Sequence, residues 1–228
     1  MSKVIILNDT NECPIGMAGE YAGRCWNSDT TDYTKNYKRG LECLSSGHMR
    51  AFEYPQIYIE LDGYSAKVIR ELYTHIGGAP TRLQASTRYI DYAKNGFDFV
   101  VPPAIEKDQE ARLKYVASMR RINEDIRQLI DIYNIPKEDA NMLLPLGMQS
   151  KMVLRTNARH LIEISRQRTC NRAYWEFREL MQDIKEALSN YSAEWAELLD
   201  LQFGPKCEYL GYCPESHGCG RYPAQLQN

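Results

Sequence analysis

The chain has 228 residues, 25% of them charged and 43% hydrophobic, with 28 Lys and Arg against 30 Asp and Glu. That length fits one domain with a sizeable core, and the net charge of −2 excludes a protein that wraps a nucleic-acid polymer through a basic surface. The longest apolar runs, such as residues 97–105, are broken by Asp98, Pro102 and Pro103 and fall short of the roughly 20 residues that span a bilayer. The N-terminus has no signal-peptide h-region. A globular cytoplasmic protein with no membrane segment is expected.

In chain order, residues 4–7 read as a β-strand, and residues 8–14 have turn composition. Helical spacing runs through 33–46 and stops at Ser45-Ser46-Gly47. Residues 57–61 read as a strand that Asp62-Gly63 ends, and Ser65 is placed to cap a helix over 66–75. Gly77-Gly78-Ala79-Pro80 opens a loop to Tyr92, and 97–101 reads as another short strand. Val116, Met119, Ile122, Ile126, Leu129, Ile130 and Tyr133 recur at helical spacing. They predict an amphipathic helix of about eight turns that ends before Pro136. A helix start follows at Pro136, then a strand near 150–154 and helices over 158–167 and 170–201. Long helices with few strands predict an α+β fold, a small antiparallel or mixed sheet packed with long helices. After Gly204-Pro205 a Cys-rich tail, 204–228, reads as an appended loop following the main body, 1–203.

No G-x-G-x-x-G, Walker A or nucleophile elbow is present, and four histidines are scattered too widely for most hydrolytic metal sites. Covalent catalysis is not advertised. The chemistry-bearing segments are rich in Arg instead: 81–89, 155–160 and 166–172. Gly, Ser, Thr and Arg together can aim backbone N–H groups, hydroxyls and a guanidinium fork at a phosphate, so a phosphorylated ligand is expected. Of seven cysteines, Cys207, Cys213 and Cys219 cluster near the end with His217 among them. They could supply three sulfurs and one nitrogen to tetrahedral zinc, although the spacing is not that of C-x2-C knuckles. Reduced thiols packing a surface loop are the other reading.

Gly47-His48-x-x-x-Phe52-Glu53 resembles the G-H-x-S-x-F-E-H segment of the flavin-dependent thymidylate synthases. Ser86-Thr87-Arg88-Tyr89 resembles the end of that family's R-H-R-x-x-S-x-N-E-x-S-x-R-Y signature. Asn157-x-Arg159-x-Leu161, Arg168 and Ala173-x-x-Glu176-x-Arg178 resemble its C-terminal pattern, and Ala22-Gly23-Arg24-Cys25-Trp26 its early A-R-x-[SC]-[YF] turn. The pieces stand in the family's order across about residues 1–203. The R-H-R positions, however, fall on Ile76, Gly77 and Gly78, and Asn141 stands where the family often has Arg before Leu144-Pro145.

The resemblance implies a homotetramer with shared sites that binds FAD and dUMP. It would transfer a methylene from methylenetetrahydrofolate to uracil C5, with NADPH recharging the flavin. It assigns Arg168 to the pyrimidine as the catalytic residue, and Gln84, Ser86, Thr87 and Arg88 to dUMP. It assigns His48, Arg50, Cys25, Asn157 and Glu163 to FAD, with His75 and Arg82 as substitutes near the missing R-H-R. A fixed guanidinium suits the pyrimidine role, because uracil C5 becomes a nucleophile when negative charge on its carbonyl oxygens is stabilised. Two alternatives stand beside this: a related flavoenzyme that adds another group, such as hydroxymethyl, and a non-catalytic zinc-containing interaction protein.

Overall fold

In the computed structural model, which describes residues 3–224, β1 (Lys3–Ile6) pairs with β2 (Gln56–Ser65). Ile57, Ile59 and Leu61 of β2 are fully buried, the alternation a strand needs when one face is covered. The strand passes through Asp62-Gly63 instead of ending there. Gly63 takes φ +83°, a region glycine enters without steric cost, and pairing continues to Ser65. Ser65 then caps α3 (Ala66–Leu72), its side chain accepting from the Val68 N–H at 3.2 Å. The remaining strands are β3 (Thr81–Gln84) and β4 (Gln149–Asn157), and the sheet order is β1-β2-β4-β3. β3 lies within a segment that reads as loop in sequence.

Two helices precede β2. The first, α1 (Pro14–Cys25), is absent from the sequence reading because Gly16, Gly19 and Gly23 depress its propensity by about 1 kcal/mol each. Those glycines serve its packing on α2 (Tyr33–Ser45). A Cβ at Gly19 would lie 1.8 Å from the Asn36 carbonyl oxygen, and one at Gly40 would lie 2.1 Å from that of Ile15. The two backbones are in direct contact, which only glycine permits.

Contacts divide the chain into two compact units, one of residues 61–74 and 83–152 with Lys3, the other of 4–60, 75–82 and 153–224. In the first, Tyr92, Phe97, Met119, Ile126 and Met148 form a buried cluster. Besides α3 it holds α4 (Tyr92–Asn95), α5 (Pro103–Glu106), α6 (Gln109–Asp131) and α7 (Lys137–Ala140). The expected eight-turn helix is shortened to α6 because Asp108 caps it, accepting from the Ala111 N–H at 3.1 Å, and α5 stands apart. The strand expected over 97–101 reduces to one bridge, Phe99 to Met148, since Pro102 and Pro103 offer no N–H to extend it.

In the second unit, α8 (Ala158–Arg168) follows β4 directly. The single helix expected over 170–201 is two, α9 (Trp175–Tyr191) and α10 (Ala193–Gln202), because Ser192 breaks the run and caps α10, accepting from the Trp195 N–H at 3.2 Å. Trp195, Phe52 and Phe177 are fully buried. The tail contains α11 (Lys206–Leu210). Long helices around one small sheet make this an α+β fold, and no helix among the described residues is long and apolar enough to cross a membrane.

Candidate active site

β4 delivers Asn157 to the N-cap of α8, where its side chain accepts from the His160 N–H at 2.9 Å. One turn on, the His160 ring Nδ1 lies 2.8 Å from the Thr156 hydroxyl. The Gly77-Gly78 loop lies on this helix start. A Cβ at Gly78 would lie 2.6 Å from Asn157 Nδ2, and one at Gly77 would lie 3.0 Å from His160 Cδ2. Gly78 also takes φ +67°. The close approach explains why residues as large as Arg and His do not stand at these two positions. Arg155 secures the same loop, donating to the Ala79 carbonyl at 3.1 Å and the Thr81 hydroxyl at 3.2 Å.

At the other end of α8, Arg168 Nε donates to His75 Nε2 at 2.9 Å. Its guanidinium carbon lies 4.8 Å from the centroid of the Phe177 ring, which the His75 ring meets edge-on at 5.8 Å. Arg82 donates to the His75 carbonyl. Burial, with the Arg168 charge adding to it, pushes His75 from 6.5 down to about 4. The imidazole is therefore neutral at pH 7, with an Nε2 lone pair to accept and its proton on Nδ1. His75 and Arg82, expected at the flavin, thus both act on the setting of Arg168. Phe177 was missed, although it stands inside the quoted Ala173-x-x-Glu176-x-Arg178 segment. Arg168 lines a cavity of about 490 Å³ with Arg166, Arg172, Lys206 and Cys207.

His48 and Arg50 flank the start of a 3₁₀ segment, Met49–Glu53, and both are exposed. Arg159 joins this segment to α8, donating to Glu53 at 2.7 Å and to Glu163 at 2.8 Å. Cys25 ends α1, which packs on the same segment. His48, Arg50 and Glu163 are therefore held on neighbouring elements.

Gln84, Ser86, Thr87 and Arg88 form a second cluster, within the first unit. Gln84 Nε2 donates to the Ser150 hydroxyl at 3.2 Å, and Ser86 Oγ accepts from the Arg88 N–H at 3.2 Å. Arg88 Nε donates to Glu138 at 2.9 Å in an exposed ion pair. Asn141, which replaces the family's Arg, is buried and donates to the Thr87 carbonyl at 2.5 Å. Its Oδ1 is buried without a partner. Glu138 had no signal in sequence, since it lies 50 residues from Arg88.

The tail does not bring the four candidate zinc ligands together among the described residues. All seven cysteines are free, and Cys207 and Cys213 are buried. Cys219 Sγ accepts from Asn171 at 3.7 Å, while the His217 carbonyl accepts from Arg172 at 2.7 Å. Among the described residues no group of three or more His, Cys, Asp and Glu side chains could hold a metal ion. Cys219 Sγ thus meets the Asn171 side chain, and the Arg172 side chain takes up the backbone carbonyl of His217. Burial pushes the Cys207 thiol up, so it remains protonated.

A family model described as thymidylate synthase complementing protein matches residues 17–191. The flavin-dependent thymidylate synthase of Nitratidesulfovibrio vulgaris is 32% identical over 189 residues, covering 79% of this chain and 74% of that protein. The Pyrococcus abyssi enzyme of the same name is 31% identical over 179 residues, 75% of this chain and 70% of that one. The fold matches a Helicobacter pylori flavin-dependent thymidylate synthase crystallised with FAD and dUMP at TM-score 0.67 and 18% identity, over 86% of this chain and 99% of that one. It also matches the UMP/dUMP methylase PolB of Streptomyces cacaoi at TM-score 0.73 and 18% identity, over 90% and 96%. With its motifs in the family's order and a match across most of its length, the chain belongs to the flavin-dependent thymidylate synthase (thymidylate synthase complementing protein) family.

Proposed function

We propose that the protein methylates dUMP reductively to dTMP in the cytoplasm, as a homotetramer, taking a methylene from methylenetetrahydrofolate and a hydride from FAD that NADPH recharges. Residues 1–203 act as the catalytic body and 204–228 as an appended tail. The observation that carries this reading is the setting of Arg168, whose guanidinium is held by a neutral His75 and the Phe177 face at the rim of a cavity. A guanidinium held in advance costs no reorganisation when negative charge grows on a pyrimidine carbonyl, and that charge is what makes C5 nucleophilic.

Ser86, Thr87 and Arg88 take the nucleotide phosphate, with Gln84 beside them. Arg88 exchanges its exposed Glu138 partner for the phosphate, and an exposed ion pair of this kind costs only about 0–1 kcal/mol to break. The residues fit FAD by their donor chemistry. Among the described residues neither the His48 nor the Arg50 side chain makes a hydrogen bond or ion pair. A Cβ at Gly47, with φ +76°, would meet nothing within 4 Å, so the surface beside them is open. His48, Arg50, Cys25 and Glu163 would hold the flavin, and Asn157 supports them by capping α8. Bound FAD supplies the hydride. Membership of an enzyme family sets aside the non-catalytic scaffold.

The test is the visible spectrum of the purified protein, titrated with dUMP. Oxidised flavin bands that shift on dUMP addition are expected, and Arg168→Ala should lower kcat by about 10²–10³ while the fold stays intact by circular dichroism. A colourless protein that cannot be reconstituted with FAD would overturn the reading. The glycine pair at the R-H-R positions favours one second reading, transfer of another one-carbon group such as hydroxymethyl to a pyrimidine nucleotide. The mass of the nucleotide product separates the two.

A further inference from the structure

Within the first compact unit, the loop that carries Ser86, Thr87 and Arg88 is tied to residues 137–141 by side chains. Lys137 Nζ donates to Asp91 at 2.5 Å, Arg88 Nε to Glu138 at 2.9 Å, and Asn141 Nδ2 to the Thr87 carbonyl at 2.5 Å. The first two are ion pairs of partly or largely exposed side chains, which hold weakly. The third differs in kind. Asn141 is only 5% exposed, and it opens the 3₁₀ turn Asn141–Leu143, where its own carbonyl accepts from the Leu144 N–H at 3.1 Å. A short side chain fixed by burial has little rotamer freedom left to lose, so its bond sets the loop backbone more closely than two long surface side chains do.

Stability does not account for Asn141. Its Oδ1 is shut off from water with no donor among the described residues, and an unmet buried carbonyl oxygen destabilises a fold. The Thr87 carbonyl that Nδ2 serves belongs to an exposed residue, so water can replace that bond. An apolar side chain of the same branching would remove the cost. A polar residue kept where it costs stability marks a position with another task. Asn141 also stands where the family's motif often has Arg before Leu144-Pro145. Without that charge, Arg88 is the one basic residue of the stretch 86–91. A guanidinium fork meets a phosphate at two points only when it is aimed, so the placing of this loop matters more here.

We propose that Asn141 is the positioning residue of the phosphate loop. By holding the Thr87 carbonyl it sets the backbone from which Ser86 and Arg88 meet the nucleotide phosphate, and it touches no ligand itself. The proposal rests on the assignment of Ser86, Thr87 and Arg88 to that phosphate. It adds that this chain gains phosphate affinity at position 141 through geometry, where a guanidinium would act through charge.

The test is a double-mutant cycle on the full chain, with the Kd for dUMP read by isothermal titration. Asn141→Leu should weaken dUMP about fivefold, and Arg88→Gln about tenfold or more. In the double variant the step from Asn141→Leu should shrink to less than about twofold, because no guanidinium is left to aim. The melting temperature of Asn141→Leu should equal or exceed that of the wild type, which loss of a merely structural residue would not give. Asn141→Ala removes the same donor without adding bulk, and it should show the same coupling to Arg88 if Asn141→Leu does not fold. Undiminished dUMP affinity in the folded Asn141 variants, or losses that simply add to that of Arg88→Gln, overturns the proposal and leaves the phosphate loop standing. Unchanged affinity in Arg88→Gln removes the phosphate assignment, and the proposal falls with it.

Discussion

Arg168 donates from Nε to Nε2 of His75 across 2.9 Å, and this bond fixes the last residue of α8 to the loop that carries the glycine pair. Only a neutral imidazole can accept it. The two side chains therefore form one device in which the protonation state of His75 decides whether this bond to Arg168 forms.

Acid should release that device. His75 titrates near 4 when folded and at 6.5 ordinarily, so folding favours its neutral form. The stability this contributes is present above about pH 6.5 and is lost as the pH falls toward 4. With the ring only about half out of water, the loss is about 1–2 kcal/mol. Urea denaturation at pH 7 and pH 4 should show it in the wild type and not in His75→Gln, whose amide oxygen accepts without titrating. His75→Ala should lower kcat about tenfold.

With Arg88 assigned to the nucleotide phosphate as proposed, Glu138 is its competitor in the free protein. Glu138→Gln removes the ion pair, so the KM for dUMP should fall by about two- to threefold. Arg88→Gln should raise it by about tenfold or more, for loss of a charge-assisted contact. Steady-state kinetics with dUMP varied checks both, and an unchanged KM in Arg88→Gln would remove it from the phosphate site.

Glu194 holds the start of α1 from a distance. Its carboxylate accepts from the N–H groups of Ile15 and Gly16 at 2.7 and 3.0 Å, at a helix start whose own N-cap, Cys13, makes no side-chain cap bond. Glu194→Ala should cost about 1–2 kcal/mol and lower Tm by about 3–6 °C, read by calorimetry.

The α1–α2 contact should not accept a methyl group. In Gly19→Ala the added carbon meets backbone atoms at 1.8 and 2.6 Å that cannot swing aside, so a loss above about 3 kcal/mol or failure to fold is expected. Gly47→Ala meets only the strain of positive φ, about 1 kcal/mol. Soluble yield and circular dichroism of the two variants give the comparison.

Much of this protein was readable from its chain alone. Ser65 announced its cap, 33–46 its helix and 57–61 its strand, because caps and one-sided burial act over a few residues. The motif order from Gly47-His48 to Arg178 carried the family. The contacts that set the site were not readable. Residues 75 and 168, 88 and 138, and 194 with 15 and 16 are joined across 93, 50 and about 180 positions, and no local periodicity records a partner that far away. Helix α1 was hidden for the same reason, since its glycines lower local propensity and only their contact with α2 compensates. The residue types, and the phosphate and pyrimidine chemistry they suit, were decided by the sequence. Which nitrogen of His75 faces Arg168, which acid occupies Arg88, and where each thiol of the tail is placed were decided by tertiary packing, because each depends on distances that only the folded chain defines.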